Sequence, residues 1–368
     1  MASNRKLLVL PGDGIGVEVM RQVHRVVDWF DKRRTVSFDV KEGLVGGAAI
    51  DKHDWPIDDA TMDVAMNSDA TLFGAVGGPK WDGLPFEKKP ERGLLRLRKD
   101  MDLFANLRPA LVFDALADAS SLKRELVSGL DILILRELTG GVYFGEPRGV
   151  TALPDGQKKA VDTQVYTTSE IQRIARVAFE LARKRGNKVH SVEKSNVMHT
   201  GVLWREVVTA THKAEFADVT LEHMLADNAS MQMLLRPGHF DVLLCENTFG
   251  DLLSDEAAAL AGSLGMLPSA SLNAQGGSGR AFGLYEPAGG TAPDIAGRGI
   301  ANPIAQILSA ALLLRHSLDH DAAARAVERA VAAVIADGKR TGDIRVATDP
   351  PAIGTREMGE AIIAHLHP

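Results

Sequence analysis

Cysteine is nearly missing from this chain of 368 residues; Cys245 stands alone, inside the apolar run FDVLLC. A disulfide framework and a cysteine zinc site are excluded. Cys245 itself reads as a small buried hydrophobe. No basic block is present, and the formal net charge is −6. The sequence therefore carries no electrostatic footprint for nucleic acid or for an anionic membrane. No stretch approaches the ~20 apolar residues of a membrane span. In MASNRKLLVLPGDG the apolar run LLVL ends at Pro11-Gly12, too short for the core of a signal peptide. The expected location is cytoplasmic.

What is present is ordinary globular composition, 45% apolar and 24% charged. At roughly 150 residues per domain, the length suggests about two domains. Short apolar runs bounded by turn residues recur: KLLVL (6–10), ATLFGAV (70–76), GLDILIL (129–135) and FDVLLC (240–245). Such runs suit central strands covered on both faces. Between them lie helical patterns. Ile15 to Phe30 has apolar residues at helical spacing. TTSEIQRIARVAFELARKRGN (167–187) has capping-box spacing at Thr167 and Glu170, with Gly186 expected to end it. AAARAVERAVAAVIADG is a further helix, stopped by Gly338. The alternation predicts an α/β fold with much parallel sheet. One segment breaks the rhythm: 149–167, centred on Pro154-Asp155-Gly156, reads as a hairpin. The glycine-rich NAQGGSGRAFG (273–283) reads as a mobile linker.

Three apolar runs end in residues with catalytic potential. Arg136 and Tyr143 follow DILIL. Glu193, Lys194 and Asn196 follow KVHSV. Glu246, Asn247 and Asp251 follow FDVLLC. In open parallel sheets ligands bind beyond the carboxyl ends of the strands. Asp251 and Asp255 lie four apart in a helical pattern, hence on one face. They are either a solvated face or oxygen ligands for Mg²⁺ or Mn²⁺. Arg98 and Arg108 lie among leucines, either snorkelling from a helix or, with Arg136, clamping a di- or tricarboxylate. Leu94 and Leu95 offer an apolar corner beside them.

PGDGIG (11–16) is not a dinucleotide fingerprint of the Rossmann kind, which would need glycine where Val17 stands. The loop EPAGGTAPDIAGRGIANP (286–303) has glycines that would let a dinucleotide approach the backbone, and Asp294 could accept from a ribose hydroxyl and repel a 2′-phosphate. By glycine content alone it is a surface loop.

Taken together, PGDGIG, LLRLRKDMDLFANLRP (94–109), RELTGGVYFGEPRG (136–149), EKSNVM (193–198), ADNASMQ (226–232), NTFGDLLSDEAAALAGSLGMLPSASL (247–272) and YEPAGGTAPDIAGRGIANP (285–303) resemble the β-decarboxylating dehydrogenases of the isocitrate/isopropylmalate dehydrogenase family. The resemblance covers almost the whole chain. It implies a fold that is not Rossmann, with two α/β domains sharing a large mixed sheet and a protruding β-hairpin arm at about 149–167. The first domain would hold 1–103 and 262–368 and bind cofactor. The second would hold 104–261 and form a homodimer with shared sites.

The activity implied is NAD-dependent oxidative decarboxylation of a small-molecule 2-hydroxy acid, (2R,3S)-3-isopropylmalate first among the family's substrates. Tartrate or malate and isocitrate or homoisocitrate are the alternatives. By resemblance, Asp251 and Asp255 are metal ligands for Mg²⁺ or Mn²⁺, joined by Asp227 from the partner subunit. Arg98, Arg108 and Arg136 clamp the substrate carboxylates, while Leu94, Leu95 and Val197 surround the isopropyl group. Lys194 and Tyr143 are the catalytic pair, Lys194 lent by the partner with Asn196. Glu91, Glu286, Gly290, Thr291, Ala292, Asp294 and Asn302 belong to the NAD site. Two departures stand out: EKSN replaces the family's frequent DKAN, and Gly289 occupies a position that is often histidine.

Overall fold

The computed structural model describes residues 4–273 and 282–367; most of the glycine-rich linker expected at 273–283 lies outside them. The described strands are β1 (Arg5–Gly12), β2 (Phe38–Glu42), β3 (Ala70–Ala75), β4 (Ala105–Leu111), β5 (Asp131–Glu137), β6 (Gly149–Ala152), β7 (Lys158–Val161), β8 (Lys188–Glu193), β9 (Thr220–Leu225), β10 (Val242–Cys245), β11 (Pro268–Leu272) and β12 (Gly283–Pro287). Ten of them form one sheet in the order β2-β1-β3-β12-β11-β4-β5-β10-β8-β9, and β6-β7 pair separately. The sheet is mixed, parallel except where β11 runs against β12 among the pairings resolved here. All four apolar runs singled out in the sequence are strands of it.

The chain divides into two compact units. Unit 1 holds the described residues of 1–103, 111–129 and 258–368, and unit 2 holds 104–110 and 130–257. In unit 1, Leu8, Leu10, Phe73, Leu97, Leu103 and Leu284 share one buried cluster. Helix Gly16–Lys32 turns Val19, Met20, Val23, Val26 and Phe30 inward. Helix Ile304–His316 is buried on every side from Ile304 to Leu314, as expected for a helix apolar all round.

In unit 2, Val242, Leu243, Leu244 and Cys245 of β10 are fully buried between β5 and β8. At about 25 cal/mol per Å² of apolar surface, such a strand is a principal anchor of the unit. Helix Thr168–Arg183 opens with the predicted capping box, Thr167 and Glu170 bonding each other's backbone N–H. It does not stop at Gly186. The chain leaves the helix after Arg183, and the left-handed residue is Asn187, at φ 58°, because asparagine tolerates that region nearly as well as glycine. Gly338, at φ 78°, does stop helix Asp321–Ala336. The hairpin forms, with Gly149 opposite Val161 and Ala152 opposite Lys158, and its strands are almost wholly exposed.

Burial pushes the Cys245 thiol well above its ordinary range. The native protein should therefore be inert to an aromatic disulfide reagent at pH 8 and release one thiol equivalent in denaturant. Release of that equivalent from native protein at the rate of a free thiol would contradict this packing.

Candidate active site

Parallel pairing sets the site of unit 2. Cys245 on β10 lies level with Arg136 on β5 and with Val192 on β8. Glu246 and Asn247 after β10, and Lys194 after Glu193, the last residue of β8, consequently leave the sheet at one edge, the carboxyl ends of the strands. Helix Asn247–Leu260 starts there at once. Buried Glu246 accepts the first N–H groups of that helix, from Thr248 at 3.1 Å and Phe249 at 2.9 Å, where a negative charge suits the helix dipole. Burial nevertheless raises its carboxyl above the ordinary range. Tyr166 donates to Glu246 at 3.4 Å and accepts from the Asn247 N–H at 2.9 Å.

Asn247 then fixes an arginine. Its side-chain oxygen accepts from Nε and Nη2 of Arg136 at 2.9 and 2.7 Å, and its amide donates to the carbonyls of Leu138 and Gly140. The remaining fork nitrogen of Arg136 donates to Asp251. Arg108, on β4, donates from Nε to Asn106 at 2.8 Å and from Nη1 to Ser254 at 2.6 Å and to Asp251 at 3.3 Å. Two buried guanidinium groups thus meet one carboxylate that is itself 37% exposed. Close approach of the helix depends on Gly250, where a Cβ would come within 2.7 Å of the Arg136 side chain. The Tyr143 hydroxyl donates to the other Asp251 oxygen at 3.3 Å. Burial, reinforced by the Asp251 charge, raises the Tyr143 phenol above its usual range, so it holds its proton.

Asp255 follows one turn later on the exposed side of the helix. It receives no hydrogen bond or ion pair from the described residues. Desolvation raises its carboxyl, Arg108 opposes the rise and Asp251 adds to it. Lys194 donates to Asp227 at 2.5 Å and holds that carboxyl low, while Asn196 and Val197 beside it are exposed. The three aspartates do not gather within one chain. Among the described residues, the one trio of ligand side chains with donor atoms within 4.8 Å of one another is His190, Glu222 and His239. Asp251 and Asp255, paired oxygen donors on one helix face with Asp255 unsatisfied by the protein, nonetheless fit a hard divalent ion.

Unit 1 carries a cavity of about 550 Å³, lined in part by Gly16, Gly290, Ala292, Asn302, Gln306 and Asp343. At Gly290 a Cβ would meet no protein atom within 4 Å. Thr291 joins the loop to PGDGIG, its carbonyl accepting the Ile15 N–H at 2.9 Å. Asn302 donates to Asp343 at 3.0 Å and accepts the Ile304 N–H at 3.0 Å. Gln306 is buried, and neither of its amide atoms has a hydrogen-bond partner among the described residues. An open glycine backbone and an unsatisfied amide in an apolar cavity fit the adenosine part of a dinucleotide. Asp294 is exposed and does not line the cavity. Glu286 is buried and receives Arg98 at 2.7 Å. Glu91 is exposed in the first turn of helix Glu91–Asp100; on the same helix Leu94 packs on the unit 1 core and Leu95 is half-buried.

A family model described as isocitrate/isopropylmalate dehydrogenase matches residues 6–362. The chain belongs to the isocitrate/isopropylmalate dehydrogenase family. It is 59% identical over 365 residues to a 3-isopropylmalate dehydrogenase of Rhodopseudomonas palustris, covering 99% of this chain and 98% of that protein. It is 60% identical over 363 residues to one of Brucella suis, covering 98% of each. Among solved structures, isocitrate dehydrogenase from Methylococcus capsulatus superposes with a TM-score of 0.86 at 32% identity, over 98% of this chain and 99% of that one. A β-decarboxylating dehydrogenase from Thermococcus kodakarensis gives 0.76, also at 32% identity, over 98% and 96%. The expected fold class is borne out.

For this member of the dehydrogenase family, sequence reasoning passed over the supports. Asn106 and Ser254 lie within stretches that carry the resemblance but were given no role of their own, and Gln306 and Asp343 lie outside those stretches. Asn106 was legible only as a polar residue two before Arg108 on the same strand face. Gly250→Val should displace Arg136 and weaken binding of a dicarboxylic acid at least ~10-fold, about 1.4 kcal/mol. Calorimetry on the purified variant decides it, since unchanged affinity would contradict the carboxylate-binding role expected of Arg136.

Proposed function

We propose that the protein catalyses NAD-dependent oxidative decarboxylation of (2R,3S)-3-isopropylmalate to 4-methyl-2-oxopentanoate and CO₂, a step of leucine biosynthesis in the cytoplasm. The observation that carries the reading is the pair of buried guanidinium groups, Arg108 and Arg136, converging on Asp251 with the protonated Tyr143 phenol beside it. Relatives named 3-isopropylmalate dehydrogenase at 59% and 60% identity support the substrate.

Arg108 and Arg136 bind substrate carboxylate, with Arg98 assigned to the same clamp by resemblance. Asp251 and Asp255, with Asp227 of the partner subunit, would hold Mg²⁺ or Mn²⁺. When bound, the ion supplies Lewis-acid polarisation of the C2 oxygen and NAD supplies the hydride acceptor. Lys194 of the partner subunit takes the C2 hydroxyl proton at Nζ. After CO₂ leaves, Tyr143 delivers its Oη proton to the substrate carbon that lost it. Leu94, Leu95 and Val197 are assigned to the isopropyl group. Gly290, Thr291, Ala292, Asn302, Glu91 and Glu286 are assigned to NAD, together with Asn196 of the partner subunit. Asp294 is assigned to the ribose, where its charge disfavours a 2′-phosphate. On this reading unit 1 is the cofactor domain and unit 2 the dimerisation domain, with the exposed hairpin as an arm between subunits.

Isocitrate would place a third carboxylate against leucine, which is costly. Comparison of kcat/KM across isopropylmalate, isocitrate, malate and tartrate tests the substrate. Isopropylmalate should exceed each of the others at least ~10-fold, and a preference for any other acid overturns the assignment. Asp251→Asn should lower turnover at least ~100-fold, and chelation should abolish activity until Mg²⁺ or Mn²⁺ is restored. Tyr143→Phe should lower kcat with little change in KM; a variant altered in KM alone would assign Tyr143 to binding.

A further inference from the structure

One cluster in unit 2 plays no part in that chemistry. His190 on β8 pairs in register with Glu222 on β9, so their side chains share a face of the sheet. The turn Pro237–His239 brings a second imidazole to the same place. His190 packs against the rings of His239 at 4.7 Å and Phe240 at 4.8 Å. It is fully buried, and neither ring nitrogen makes a hydrogen bond among the described residues. Yet its Nε2 lies 3.2 Å from Oε2 of Glu222. Nε2 of His239 also lies 3.2 Å from that oxygen. A zinc ion with bonds of about 2.0–2.1 Å in tetrahedral geometry has ligand atoms about 3.3 Å apart. The two measured edges have that length.

We propose that His190, Glu222 and His239 form a binding site for a divalent transition-metal ion, with Zn²⁺ as its natural probe. Two imidazoles and one carboxylate are a borderline-soft donor set, suited to zinc rather than to the all-oxygen coordination of Mg²⁺. Lys188 binds the other Glu222 oxygen at 2.9 Å, which orients the carboxylate and leaves Oε2 to the imidazoles. Burial also keeps the His190 imidazole in its neutral, ligating form, with a pKa of about 4. His239 is 37% exposed and gives the ion access from solvent. An ion here would tie β9, the last strand of the sheet order, to β8 and to the turn entering β10.

The test titrates metal-stripped full-length protein with Zn²⁺ by calorimetry while excess Mg²⁺ is present. Wild type and Asp251→Asn should each bind one Zn²⁺ per chain at this site, and His239→Gln should bind it at least ~10-fold more weakly. Co²⁺ in place of Zn²⁺ should give intense tetrahedral d–d absorption in wild type and Asp251→Asn, absent from His239→Gln. Because His239 is exposed, its replacement leaves the core intact. Equal Zn²⁺ affinity and Co²⁺ spectra in wild type and His239→Gln overturn the proposal, as does loss of all Zn²⁺ binding in Asp251→Asn.

Discussion

The bond from Arg136 to Asn247 is the constraint on which the site of unit 2 depends. A guanidinium only 2% exposed is tolerated only when its donors are satisfied, since an uncompensated buried charge destabilises by several kcal/mol. Asn247 meets two of those donors, and two backbone carbonyls beyond β5 hold Asn247 in turn. The first turn of the helix is thereby locked to the end of β5. Asp251 is delivered, one turn later, between two arginines.

That locking explains the division of labour on the helix Asn247–Leu260. Asp251 is compensated by the protein, and burial, reinforced by its charge, keeps the Tyr143 proton in place. Asp255 receives no hydrogen bond among the described residues, and burial pushes it toward its neutral form against the pull of Arg108. A carboxylate in that condition is stabilised by a cation from outside the chain. Lys194 and Asp227, on the same unit, are paired with each other and do not join Asp251 and Asp255 among the described residues.

Much of this was legible in the residues. The apolar runs ending in charged residues located the carboxyl ends of β5, β8 and β10, because a strand buried on both faces can release its polar groups only at its ends. The spacing of Asp251 and Asp255 placed them on one helix face. Motif resemblance named the arginines, Lys194 and Tyr143. The supports were not legible. Ser254 and Asn106 are ordinary residues whose importance comes from touching Arg108. Gln306 matters only because its neighbours leave its amide unsatisfied in a cavity. Asn187, the residue directly before β8, took the left-handed position expected of Gly186, a conformation asparagine can adopt.

By itself the sequence determined the elements, their order, the family and the acidic helix, since these follow from local periodicity and from motifs contiguous along the chain. Only the tertiary structure decided which polar side chains meet. It set Arg136 and Arg108 on one carboxylate, left Asp255 open, and brought His190, Glu222 and His239 together from three separate segments. The reason is geometric: parallel pairing makes neighbours of residues tens of positions apart, and no local pattern encodes which oxygen will lie within bonding distance of which nitrogen.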